Sequence, residues 1–180
     1  EWDDHPVLYA GTFTKPFSTG LKVGFIVSRE SECLTTMAKF KGHQDFGSAH
    51  FNQAIVESVL NSGAYPEHLD RIRRHYKDKR DVLVEALLDN GLKEAGWDWD
   101  EPLGGLLLWA RGPKGTDTRM SGSFHAHCVA QEILYVPGDL CFAEGKPYNC
   151  VRLSFGALER ELIPEAARRF CVAAHEANKD

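Results

Sequence analysis

The first residue whose surroundings could support chemistry is Lys15, which follows one apolar run and precedes another. Residues 7–13 and residues 21–27 each have the length and composition of a buried strand. A lysine held between buried strands is unfavourable unless it is paired or neutral, because burial disfavours the charged ammonium. A neutral amine attacks aldehydes, so the pattern indicates carbonyl chemistry at Lys15.

A second candidate, Arg152, stands within the apolar run 149–155. An arginine among apolar neighbours needs an anion, since an unpaired buried charge is costly. One source of that anion is an internal acidic partner, such as Glu159 or Glu161.

Helical periodicity, caps and apolar runs predict the elements that position these residues. Helices are expected at residues 34–41, 49–60, 66–89, 124–131 and 159–178. Further strands are expected at residues 92–97, 106–111, 133–136 and 149–155. Acidic residues interrupt the basic face of the long helix 66–89, which favours an ion-paired, solvated face over nucleic-acid binding. The order of elements after this helix indicates a small α+β domain.

Composition excludes several classes of protein. The formal net charge of −5, from 21 basic and 26 acidic side chains, argues against general affinity for nucleic acid or anionic membranes. We find no apolar run long enough for a membrane span and no secretory signal. We expect no metal site, because the one tight group of ligand-type residues, His125, His127 and Cys128, lacks further partners. Reduced thiols and a cytoplasmic location are expected from five scattered cysteines: Cys33, Cys128, Cys141, Cys150 and Cys171.

The spacing around Lys15 resembles the Schiff-base segment of the fold-type I pyridoxal-phosphate enzymes, the aspartate-aminotransferase superfamily. The resemblance is to the 2-aminoadipate-aminotransferase-like branch and its related regulator domains. Family members have the pattern small-x-Ser/Thr-Lys, a basic residue seven positions after the lysine, and then Gly-Tyr/Phe. The matching residues here are Thr12, Thr14, Lys15, Lys22, Gly24 and Phe25. Three later segments also match in order: Pro102-x-Gly-Gly-x-x-x-Trp109, Val136-Pro-Gly138 and Val151-Arg-Leu-Ser-Phe155.

This resemblance implies an α/β fold, the C-terminal part of a fold-type I transferase large domain followed by an α+β small domain. The implied boundaries are residues 1–62 for the large-domain part, 63–91 for a connecting helix and 92–180 for the small domain. The chain would be the C-terminal portion of a longer protein that forms a homodimer when complete.

The resemblance also implies a role for each candidate residue and pyridoxal 5′-phosphate as the cofactor. Lys15 would form the Schiff base and move the proton at the substrate Cα. Thr12, Thr14 and Lys22 would bind the phosphate, although the family usually has arginine at the last position. Arg152 would bind the substrate α-carboxylate.

The implied reaction is amino transfer from an L-amino acid to a 2-oxo acid. Two alternatives stay open: a cofactor-binding effector domain of a winged-helix transcriptional regulator, and a lyase or decarboxylase that uses the same lysine. The groups that hold the pyridine ring lie upstream in family members, so we expect the chain alone to be inactive. Ser48 and Asn52 could approach a neighbouring subunit's cofactor, although helix capping is the simpler role for Ser48.

Overall fold

The computed structural model describes residues 7–47, 49–143 and 147–179. The chain divides into two compact units, Glu1–Arg73 and Arg74–Asp180, which we describe separately. No helix in the described ranges is long and apolar enough to cross a membrane. Helix α3, Ala64–Asp89, begins in the first unit and ends in the second.

The first unit consists of an antiparallel hairpin followed by helices. Its elements are β1 (Leu8–Thr12), β2 (Gly24–Ser28), α1 (Ser31–Asp45), α2 (His50–Asn61) and the start of α3. The register places Leu8 opposite Ser28 and Thr12 opposite Gly24. A side chain at Gly11 would place its Cβ 2.3 Å from the ring of Phe25, so only glycine lets that ring cross the hairpin.

The expectation that these two strands are buried is wrong for the described residues. Tyr9 is 54% exposed and Val27 is 56% exposed, and α1 has no buried residue. A two-stranded ribbon has too few neighbours to cover both of its faces, whatever the apolar content of its sequence. The apolar runs therefore predicted the strands correctly but not their burial.

The second unit is an antiparallel sheet in the order β3-β4-β6-β5, with helices that share its core. Its strands are β3 (Asp98–Trp99), β4 (Leu107–Arg111), β5 (Val136–Pro137) and β6 (Cys150–Ser154). Its helices are the later part of α3, α4 (Ser123–Ala130) and α5 (Ile163–Ala177). The rings of Trp97, Phe124 and Phe170 pack with centroids 5.0–5.6 Å apart at the centre of the core.

The strand expected at residues 92–97 is absent from the described structure, and the chain makes two tight turns there instead. Gly91 and Gly96 have φ of 74° and 84°, a left-handed conformation that a strand does not contain. The Trp97 N–H donates to the carbonyl of Leu92, which closes the second turn. The apolar residues of this segment are buried in the core, so burial rather than strand formation explains its composition.

All five cysteines are free thiols, and they differ in burial. Desolvation raises the pKa of Cys128 and of Cys171 to about 12, whereas Cys141 is exposed. Near pH 8, a pKa of about 12 leaves a thiolate fraction of only about one in 10⁴. We expect a thiol reagent to modify Cys141 rapidly and to reach Cys128 and Cys171 only on unfolding, as measured by peptide mass spectrometry. Fast labelling of either buried cysteine in the native chain would contradict this packing.

Candidate functional site

Lys15 lies in the turn that joins β1 to β2, and its side chain is exposed. The turn is compact, because the N–H groups of Phe17 and Ser18 both donate to the carbonyl of Phe13, at 3.0 and 3.1 Å. The prediction that two strands bury this lysine is therefore wrong for the described residues. Lys15 is exposed because the hairpin on either side of it is itself exposed in the part of the chain that the structure describes.

The hydroxyl of Thr12 takes part in hydrogen bonds within this turn. It donates to the carbonyl of Val23 at 3.3 Å and accepts from the N–H of Thr14 at 3.0 Å. Threonine hydroxyls in turns often make such local bonds. The longer bond is the one that Thr12 would give up to donate to a phosphate; the phosphate roles of Thr12 and Thr14 stay predictions.

Lys22 ends the turn and adopts φ 52°, a left-handed conformation that costs a residue with a Cβ roughly 1–2 kcal/mol. Its side chain is exposed. The amide of Asn52 donates to the carbonyl of the preceding residue, Leu21, at 2.9 Å. Asn52 thus binds the backbone of its own chain, and Ser48, the other residue considered for a neighbouring subunit's cofactor, lies outside the described residues.

Arg152 lies in β6, one of the two inner strands, with Trp109 of β4 and Val136 of β5 directly opposite it. It therefore points to the sheet face opposite to the core residues Val151 and Ala110. On that face the ring of Trp109 packs edge-on against Phe142, with centroids 5.8 Å apart.

The Nε atom of Arg152 is buried without a hydrogen-bond partner. None of the ion pairs among the described residues involves Arg152, so the internal partners considered from sequence, Glu159 and Glu161, do not satisfy it. A buried donor without a partner is unusual and costly. The second unit thus holds a guanidinium whose donor is suited to an anion such as a carboxylate.

Gly138 explains why glycine follows proline in the segment beside this arginine. A Cβ at Gly138 would lie 2.6 Å from both the Cβ and the carbonyl oxygen of Cys150, on the strand that carries Arg152. The backbone approach is too close for any side chain, so this glycine sets the distance between the loop and β6.

We expect Gly138→Ala to lower the free energy of unfolding of the chain by about 1–3 kcal/mol, the usual cost of overpacking. Urea denaturation followed by tryptophan fluorescence measures the change. Gly104→Ala is the matched control, because a Cβ there meets nothing within 4 Å. Equal denaturation midpoints for the two variants would contradict the close approach.

Sequence reasoning missed His68, whose Nε2 lies 3.0 Å from the carbonyl oxygen of Pro16, next to Lys15. His68 and Pro16 are 52 positions apart, so spacing along the chain offers no signal for the contact. In the described ranges, no group of three His, Cys, Asp or Glu side chains is arranged to hold a metal ion.

The family model described as "Aminotransferase class I and II" matches residues 1–170. The chain belongs to the class I and II aminotransferase family. It is 35% identical over 163 residues to the 2-aminoadipate transaminase of Thermus thermophilus, a match that covers 91% of this chain and 39% of that protein. It is also 30% identical over 174 residues to the uncharacterized HTH-type transcriptional regulator YisV of Bacillus subtilis, a match that covers 93% of this chain and 34% of that protein.

A solved structure supports the same assignment. LysN, the α-aminoadipate aminotransferase of Thermus thermophilus, was crystallised with N-(5′-phosphopyridoxyl)-L-leucine. It superposes with a TM-score of 0.87 at 32% identity, over 97% of this chain and 43% of LysN. Two predictions are confirmed. One is the fold class, the C-terminal part of a fold-type I transferase, and the other is the 2-aminoadipate-aminotransferase-like branch. The chain spans about two fifths of the length of these aminotransferases.

Proposed function

We propose that the complete protein is a pyridoxal 5′-phosphate-dependent aminotransferase that moves an amino group from an L-amino acid to a 2-oxo acid. The observation that carries the proposal is the buried, unpartnered Nε of Arg152 in a chain of this family. Both substrates of such a reaction carry a carboxylate, the anion that a guanidinium binds with two parallel hydrogen bonds. Arg152 would orient the substrate so that its Cα–H bond is the one broken.

The turn at Lys15 is suited to the cofactor. When bound, pyridoxal 5′-phosphate supplies an aldehyde and a ring that withdraws electrons. Lys15 would attach covalently to that aldehyde and later move a proton at the substrate Cα, and Thr12, Thr14 and Lys22 would hold the phosphate. The fit rests on two exposed amines in one compact turn and on a threonine hydroxyl whose bond to Val23 is long.

We further propose that an N-terminal part of the large domain, not contained in this chain, covers β1 and β2 and binds the pyridine ring. The exposed apolar side chains of these strands and the greater length of the aminotransferase relatives support this. Such cover would supply the desolvation that activates Lys15. The chain alone would then be inactive, and the complete protein would be a homodimer.

We place the protein in amino-acid metabolism and in the cytoplasm. The reaction class supports the first assignment. The free cysteines support the second, because thiols persist in a reducing compartment.

The effector domain of a transcriptional regulator is the second candidate function, and the similarity to YisV favours it. A basic helix-turn-helix segment upstream of this chain would support that reading, and only then would we expect nucleic-acid binding. A lyase or decarboxylase that uses Lys15 on another Cα bond is the third.

The deciding experiment uses the complete protein, an L-amino acid deuterated at Cα and a 2-oxo acid. An aminotransferase shows a visible band that borohydride abolishes, forms the new amino acid and loses the deuterium. A regulator would show the band without turnover and would bind DNA, whereas a lyase would form product without the 2-oxo acid. Absence of the band would overturn the cofactor assignment.

A further inference from the structure

Two helices bind backbone carbonyls of the turn that carries the candidate residues. At one end, His68 of α3 lies with Nε2 3.0 Å from the carbonyl oxygen of Pro16. At the other end, Asn52 of α2 donates from Nδ2 to the carbonyl of Leu21 at 2.9 Å. Pro16 follows Lys15 directly, and Leu21 precedes Lys22 directly.

The surroundings of His68 select one tautomer. A carbonyl oxygen only accepts, so the ring must carry its proton on Nε2 to bind Pro16. On its other side, Nδ1 lies 3.1 Å from Nη2 of Arg71, and a guanidinium only donates. Both contacts are satisfied only by a neutral ring protonated on Nε2.

Aromatic contacts hold the same ring in place. Phe17 meets His68 edge-on with centroids 5.4 Å apart, and Tyr65 stacks on it at 6.5 Å. Phe17 and Tyr65 also contact each other at 6.2 Å. The imidazole is thus part of a packed cluster that includes the turn itself.

This contact constrains Lys15 through the peptide that follows it. Proline fixes its own φ and restricts the backbone conformations of the residue before it, here Lys15. Binding the Pro16 carbonyl fixes the orientation of the next peptide as well, so the turn is held on the C-terminal side of Lys15. The hydrogen bond to the Pro16 carbonyl therefore constrains the direction in which the Lys15 side chain leaves the backbone.

We infer that His68 is a positioning residue for Lys15, acting through the Pro16 carbonyl, and that Asn52 does the same for Lys22. The inference rests on the proposed function, because it assigns the turn the task of presenting an amine and a phosphate ligand. His68 touches neither substrate nor cofactor in this account.

The first test measures the turn itself and needs no cofactor. In the complete protein prepared without cofactor, His68→Leu should raise backbone hydrogen exchange in the peptide covering residues 13–22 by about 3–10-fold, since one hydrogen bond is lost. His68→Gln keeps both a donor and an acceptor and should stay within about 2-fold of the parent. His75→Leu, at an exposed histidine of the same helix, is the matched control.

The second test measures chemistry in the same variants. His68→Leu should slow cofactor attachment and lower kcat by about 10-fold while KM for the amino acid changes by less than about 2-fold, and His68→Gln should recover most of the loss. Unchanged exchange, attachment and kcat in His68→Leu would overturn the inference. A parent protein that never forms the visible band would instead overturn the proposed function.

The Asn52 end of the turn is tested by an isosteric change, in case His68→Leu fails to fold. Asn52→Asp keeps the size of the side chain but cannot donate to the Leu21 carbonyl. It should raise hydrogen exchange at the Lys22 end of the peptide and weaken cofactor binding by about 3–10-fold. Parental exchange and parental affinity in this variant would overturn the role given to Asn52.

Discussion

Lys15→Ala in the complete protein is expected to abolish covalent attachment of the cofactor and to lower kcat by about 10²–10⁴-fold. The factor is the usual worth of one positioned proton-transfer group, and alanine has no amine to replace it. The visible band that borohydride removes in the parent should be absent from the variant. Measuring kcat at saturating cofactor separates lost chemistry from weakened binding.

Two companion variants make this result specific. Lys15→Arg retains a positive charge, but a guanidinium stays protonated and does not attack aldehydes, so it should behave like alanine. Lys39→Ala, at an exposed lysine of α1, should leave both band and kcat unchanged. If Lys15→Ala keeps the parental spectrum, the assignment of the reactive amine fails.

Replacing Arg152 by glutamine is expected to reduce kcat/KM for the amino acid by about 10²–10³-fold. This corresponds to the loss of one partner of a buried, hydrogen-bonded charge pair, which costs about 2–5 kcal/mol. Arg152→Lys should recover only part of the loss, because an ammonium does not reproduce the two parallel hydrogen bonds. Steady-state kinetics on both variants measure the effect.

An amine that lacks the carboxylate provides the control for this prediction. Activity towards such a substrate, however low, should be nearly the same in the parent and in Arg152→Gln. Arg168→Gln, at an exposed arginine paired with Glu165, should leave kcat/KM unchanged. If Arg152→Gln lowers stability while kcat/KM stays parental, the guanidinium is structural.

Periodicity and caps predicted the helices well, because these signals are local. The long helix was expected at residues 66–89 and spans Ala64–Asp89. The strand predicted at 92–97 was wrong because apolar composition records burial, which turns in a core share with strands. The left-handed φ of Gly91 and Gly96 shows that this segment forms turns rather than a strand.

For the candidate site, too, local features could be predicted from the sequence and contacts between distant residues could not. Spacing alone placed Lys15 in the turn but put Lys22 inside the expected strand 21–27, whereas β2 begins only at Gly24 and leaves both lysines in the joining segment. Spacing could not predict that the two lysines are exposed, because exposure depends on what else covers the hairpin. Nor could it find the contacts of His68 and Asn52, which join residues 52 and 31 positions apart.

The hairpin of the first unit has a consequence for handling the protein. Among the described residues, β1 and β2 pair only with each other, so each strand has one open edge beside apolar side chains. Open, apolar edges recruit further strands from other molecules. Preparations of the chain alone would therefore tend to aggregate through intermolecular strand pairing. Co-expression with the N-terminal part that we propose covers the hairpin is the remedy that this physical cause suggests.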